Sequence, residues 1–97
     1  MKVKPNGRQH DLKVWRAQYA ALLDGSKTFE FRKEDKGRVF EIGDVLFLRE
    51  YNESAGRHVN YQCRVIKRIV TYVLRHGFDM PAGMVVLGLQ KMTTRRS

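Results

Sequence analysis

Gly25-Ser26-Lys27-Thr28-Phe29-Glu30-Phe31-Arg32-Lys33 leaves a glycine turn and then alternates apolar with polar side chains. A period of two is what a half-buried strand shows when one face packs on a core. The alternation predicts Phe29 and Phe31 on the core face. Thr28, Glu30 and Arg32 then share the opposite face, with the Lys27 ammonium at its entry. Mixed charges on an exposed strand face ordinarily solvate or pair across strands. The other reading of the same row is a polar binding or reactive site, and the remainder of the chain bears on the choice.

Upstream, His10 to Trp15 alternates with Leu12 and Val14 on one side, which reads as a short first strand. Arg16 to Asp24 is rich in helix formers, and Tyr19, Leu22 and Leu23 form one apolar stripe. Gly25 is placed to stop that helix as a C-terminal cap. Trp15 and Tyr19 are four apart and are expected to meet at the helix start, either as packing or as a stacking platform for a base.

Downstream of the alternating stretch, Glu34 to Arg38 is a charged turn with a glycine. Gly43-Asp44 then leads into Val45 to Tyr51, apolar on both faces at first and expected to be a central strand. Residues 52–57 read as the loop of a hairpin. The return strand, roughly His58 to Leu74, changes phase between Cys63/Val65 and Ile66/Val70/Tyr72/Leu74, which predicts a bulge near Lys67 to Ile69. After a turn over 76–83, Met84 to Leu89 is a last buried strand. The expected fold is α+β: a small pseudo β-barrel of about five to six strands with one short helix after the first strand.

The chain has 97 residues, enough for a single core. The expected layout is a flexible basic N-terminal tail over 1–9, one domain over 10–91, and a flexible basic C-terminal tail over 92–97. No long apolar run or secretory leader is visible, which predicts a cytoplasmic protein with no membrane association. Cys63 is the single cysteine, expected to be a spectator thiol. Neither a metal-binding spacing nor a cofactor motif is found. The net charge of +9 favours a polyanionic partner. Six of the basic residues, Lys2, Lys4, Arg8, Lys91, Arg95 and Arg96, lie at the two ends; 13 basic side chains against 10 acidic ones remain in residues 9–90. Within that body Arg64, Lys67, Arg68 and Arg75 form the most basic run.

Gly25-x-Lys27-x-x-Glu30-x-Arg32 resembles the Gly-x-Lys-x-x-Glu-x-Arg signature of the ASCH domain, a branch of the PUA-like superfamily. The wider arrangement resembles a family of small bacterial and phage ASCH-related proteins of unknown function. It runs from His10-Asp11-Leu12-Lys13 through the signature to Gly43-Asp44-Val45-Leu46, Leu48-Arg49-Glu50-Tyr51 and Val85-Val86-Leu87-Gly88. The likeness covers roughly residues 10–90. It implies a PUA-like pseudo-barrel with a cleft beside the first helix, into which Lys27, Glu30 and Arg32 project, and a link to RNA. In the acetylcytidine amidohydrolase branch a threonine acts beside the motif lysine. Here the lysine is kept as Lys27 and the threonine position holds Glu30; Asp79 lies roughly where that branch has a further acid.

Three functions are compatible with these residues. The first is a module for RNA or single-stranded nucleic acid, reading an unpaired or modified base. Its expected contacts are Lys27, Glu30 and Arg32 in the cleft, Arg64, Lys67 and Arg68 on phosphates, and Trp15 and Tyr51 for stacking, with Tyr61 and Tyr72 as further rings. The second is a small hydrolase or ribonuclease in which Glu30 is a general base and Lys27 and Arg32 stabilise developing negative charge. His10, His58 and His76 are expected on the surface. The third is a protein-interaction module. A monomer is the simplest assembly.

Overall fold

The computed structural model describes residues 2–35, 37–52, 57–58 and 64–92. Seven elements follow in chain order: β1 (Gln9–Trp15), α1 (Arg16–Asp24), β2 (Phe29–Lys33), β3 (Val45–Asn52), β4 (Arg57–His58), β5 (Val65–Leu74) and β6 (Met84–Lys91). The strands form one sheet in the order β1-β3-β5-β6-β2, with β4 added to β3. It is a curled half-barrel carrying one helix. Of the expected hairpin loop at 52–57, Asn52 ends β3 and Arg57 begins β4; residues 53–56, Tyr61, Cys63 and the tail residues 93–97 lie outside the described residues. No helix among the described residues is long and apolar enough to cross a membrane.

One pairing is parallel, β1 with β3, from Gln9 opposite Val45 to Trp15 opposite Tyr51. The others are antiparallel. A parallel neighbour requires a long crossover, and here α1, β2 and the turn after it supply that length. β1 and β2, separated in sequence only by α1, therefore become the two opposite ends of the sheet.

The concave face holds the core, with Leu12 and Val14 from β1, Leu46 and Leu48 from β3, and Val85 and Leu87 from β6. Phe40, at 0 % exposure, packs into the same cluster. A nine-residue helix is marginal alone; α1 is held because Tyr19 and Leu22 enter that core. Leu23, expected in the same stripe, stays exposed. Trp15 and Tyr19 diverge as well. Tyr19 is 2 % exposed and Trp15, at the helix N-cap, 56 %. Gly25 ends the helix as expected, at φ 88°, where only glycine is free of strain. The end carbonyls are satisfied by the Gly25 and Lys27 amides, which donate to Leu22 and Ala21, and by Arg68 Nη2, which donates to the Leu22 carbonyl at 2.8 Å.

The face switch in the long strand is real but lies later than expected. The register of β5 on β6 shifts between Val70 and Tyr72, opposite Leu89 and Gly88. Ile69 and Val70, successive residues, are both buried at that point. Gly88 fits there because a Cβ on it would stand 3.1 Å from Tyr72 Cβ and 3.2 Å from Thr71 Oγ1. The displaced residue is chosen by this contact on β6, which the phase of β5 alone does not reveal.

Asp44 is the structural hub at the other end of β3. Its side chain is fully buried. It accepts from Asn6 Nδ2 at 2.8 Å, Arg8 Nε at 2.9 Å, the Glu41 amide at 3.0 Å and His10 Nε2 at 2.7 Å. Asn6 and Arg8, which sequence places in a flexible tail, are thus fastened to the domain, and Gln9 already belongs to β1. His10 is no open surface histidine either; its ring lies against that of Phe40, 4.6 Å between centroids and tilted by 48°.

Burial alone would raise the Asp44 pKa, but the hydrogen bonds from Arg8, Asn6, the Glu41 amide and His10 outweigh it and hold the group at about 2. A carboxyl held below its unfolded value of 3.8 stabilises the fold above that value and stops doing so as pH falls through about 2. We expect urea denaturation to show about 2 kcal/mol lost from this group between pH 5 and pH 2. In Asp44→Asn that part of the acid slope should vanish, from a lower starting stability. Gly88→Ala is expected to cost about 1–3 kcal/mol in the same experiment, through overpacking against the bulge.

Candidate functional site

The sheet does not close on itself by hydrogen-bonded strands, and a cleft of about 620 Å³ occupies the gap between β1 and β2. Lys13, Val14 and Trp15 form one side, Phe29 to Arg32 the other, and Gln18 of α1 with Lys27 closes the end. The helix stop matters here. The Gly25 turn lets the Lys27 amide bond back to Ala21 at 3.0 Å, which brings the Lys27 side chain across the mouth of β2.

Glu30 lies at the floor, 3 % exposed. Lys27 Nζ donates to its Oε1 at 3.0 Å, and Arg32 Nη1 donates to its Oε2 at 3.1 Å. Arg32 Nη1 also donates to the Lys13 carbonyl of β1 at 3.1 Å, bridging the gap. Lys27 Nζ donates in addition to Gln18 Oε1 and sits 5.2 Å from the centre of the Phe29 ring. Such a geometry satisfies the carboxylate without sealing it, since a carboxylate has about four acceptor sites and two are used.

The strand parity is the reverse of the sequence expectation. Glu30 and Arg32 stand opposite Leu87 and Val85 on the concave face, while Phe29 and Phe31 are 47 % and 48 % exposed. The cause is the position of β2 at the open end of the sheet. Its concave face meets the cleft, where charged side chains find one another, rather than the middle of the core. The two phenylalanines border the cleft from outside with Trp15.

The remaining expected contacts are distributed elsewhere. Arg64 is bidentate on buried Glu50, both bonds 2.9 Å, with Arg16 at 3.9 Å from the same carboxylate. The Arg64 hydrogen bonds hold Glu50 below the ordinary carboxylate range. Arg68 lies beneath α1 on the Leu22 carbonyl. Lys67 is paired opposite Phe47 and lies 5.5 Å from the centre of that ring, on the other face of β5 from Arg68. These three cations do not border the cleft; Arg64 and Arg68 both stand beside Tyr19 of α1, and Lys67 faces the other way. Tyr51 faces the Lys13 ammonium at 5.4 Å, one strand behind the cleft wall. Tyr72 is exposed on the convex face, His76 and Asp79 lie in the turn before β6, and Asp79 has φ 57°. Lys13, Gln18, Phe29 and Phe31 were not singled out as site residues by sequence; Lys13 was legible as the outward neighbour of Leu12 and Val14. Among the described residues no group of three or more His, Cys, Asp or Glu is gathered as metal ligands.

A family model described as a domain of unknown function, DUF3850, matches residues 9–89. The chain belongs to that family. No curated protein matches it. The DUF3850 match runs from the start of β1 into β6 and therefore contains every residue of the cleft.

Because Arg64 is bound to a buried carboxylate, Arg64→Gln is expected to lower stability by about 1–3 kcal/mol in urea denaturation. A loss below about 0.5 kcal/mol would mean that the guanidinium is solvated rather than committed to Glu50.

Proposed function

We propose that this DUF3850 protein binds RNA or single-stranded nucleic acid and takes one unpaired or modified base into the cleft between β1 and β2. The observation that carries this is a buried carboxylate, Glu30, clamped by Lys27 and Arg32 on the floor of a cleft bordered by exposed Trp15, Phe29 and Phe31. Aromatic side chains stack on bases of any sequence. The free acceptor sites of Glu30 suit an exocyclic amine or ring N–H, and Lys27 or Arg32 suits a carbonyl. Discrimination arises because a base lacking the matching groups leaves buried polar atoms unpaired.

The half-barrel and the Gly25-x-Lys27-x-x-Glu30-x-Arg32 pattern support placing the domain among the PUA-like folds, in the ASCH branch. That resemblance points to RNA as the favoured partner. Both Glu30 oxygens already accept a hydrogen bond from a cation. This favours a group that reads a ligand over one that abstracts a proton, so the binding role is preferred to the hydrolase. Arg64 and Arg68 act mainly in the fold, and phosphate contacts belong nearer the cleft.

Titrating Trp15 fluorescence with short single-stranded and duplex RNA and DNA at two salt concentrations tests the reading. Salt-sensitive binding of single strands with a base preference is expected. Glu30→Gln should reduce that preference by about tenfold or more while thermal melting confirms the fold. Absence of binding at low salt, or an unchanged preference in the variant, would overturn the proposal.

A further inference from the structure

The cleft does not end at Arg32. Beyond that residue a second cavity of about 410 Å³ opens between the end of β2 and the turn that follows, and Arg32 stands in the wall of both. Its other lining residues are Lys33, Asp35, Arg38 and Phe40. The chemistry is unlike that of the first cavity. Trp15, Phe29 and Phe31 give the first its aromatic border, whereas charged side chains dominate the second.

The turn is fixed by its own hydrogen bonds. The Arg38 amide donates to the Asp35 carbonyl at 2.7 Å, the two residues forming an isolated bridge, and Gly37 between them has φ 79°. The nearest carboxylate in sequence, Glu34, is unavailable to neutralise the cavity. It accepts from Arg75 Nε at 3.0 Å and Nη2 at 2.9 Å and from the Phe40 amide at 2.8 Å. Lys33 and Arg38 form no ion pair within 4.0 Å among the described residues. Across the two adjoining cavities, the cations Lys13, Lys27, Arg32, Lys33 and Arg38 line the walls with only two carboxylates, Glu30 and Asp35. The surplus is positive; at the second cavity Arg32, Lys33 and Arg38 stand against Asp35 alone, and of these cations only Arg32 is paired, with Glu30.

A nucleotide places an aromatic, hydrogen-bonding base next to an anionic phosphate. The geometry points to the second cavity as a phosphate site, in which Lys33 and Arg38, together with Arg32, hold the phosphate of the nucleotide whose base enters the cleft. This inference rests on the proposed base-binding role and adds the part of the ligand that sequence assigned to Arg64, Lys67 and Arg68. Arg32 couples the two halves, since it touches Glu30, which reads the base, and faces the cavity that takes the anion. Guanidinium groups suit this because they bind phosphate oxygens in a planar fork.

The test titrates wild type and Lys33→Gln/Arg38→Gln with the four ribonucleosides and their 3′- and 5′-monophosphates, followed by Trp15 fluorescence and backbone amide shifts. Both side chains are exposed, and a melting curve checks that the double variant is folded. At least one monophosphate should bind about tenfold or more tighter than its nucleoside, with the gain shrinking as salt rises. The double variant should lose that gain and keep the nucleoside affinity. If nucleosides or oligonucleotides bind but the phosphate adds nothing, or its gain survives in the double variant, the phosphate site is overturned and the base cleft stands. If no nucleoside, monophosphate or oligonucleotide binds, the base cleft falls and this inference falls with it.

Discussion

A carboxylate removed from water costs several kcal/mol unless cations and hydrogen bonds replace its hydration. Glu30 meets that requirement with groups from both sides of its own position in the chain, Lys27 before it and Arg32 after it. Arg32 then reaches the Lys13 carbonyl on β1. The clamp on the acid therefore also ties the two ends of the curled sheet together. The cleft exists because this connection is made by side chains, which leave space, instead of by a strand ladder, which would fill it.

The other buried acids follow the same rule at other corners. Asp44 is held by Arg8, Asn6 and His10, and Glu50 by Arg64. The partly buried Glu34 is held by Arg75. Each arginine lies on a different element or segment from its acid, so the ion pairs connect pieces of chain that the core leaves separate. Buried pairs of this kind contribute little net stability relative to apolar packing, but removing one partner is expensive. They constrain where segments can sit. They also change the meaning of the net charge of +9, because the arginines engaged here are withdrawn from any general polyanion surface.

Local signals in the sequence were sufficient for the elements themselves. The 16–24 helix, its glycine stop and the strands around Val45 and Val85 follow from composition and period. Three features depended on partners distant in sequence and were not legible. The parallel placement of β1 beside β3 sends β2 to the far edge of the sheet. That placement decides the parity of β2, because alternation marks two faces without saying which one is concave, and Phe29 and Phe31 were assigned inward on hydrophobicity alone. The bulge position depended on Gly88 of β6. Within the site, the Lys27, Glu30 and Arg32 triad was legible from its spacing. The placement of Arg64, Lys67 and Arg68 away from the cleft was not, because their neighbours Glu50, Phe47 and Leu22 come from other elements.

The inverted parity has a physical logic of its own. An edge strand that kept Phe29 and Phe31 inward would bury two large rings, but it would turn Glu30 and Arg32 to solvent, where an ion pair contributes only about 0–1 kcal/mol and fixes nothing. With the acid inward, the pair is desolvated enough to hold Arg32 against β1, and the rings remain half-exposed beside the opening. The strand gives up apolar burial and gains a rigid polar floor with apolar edges. A flat, aromatic ligand with a hydrogen-bonding edge is complementary to both features together, because stacking uses the rings and edge recognition uses the floor.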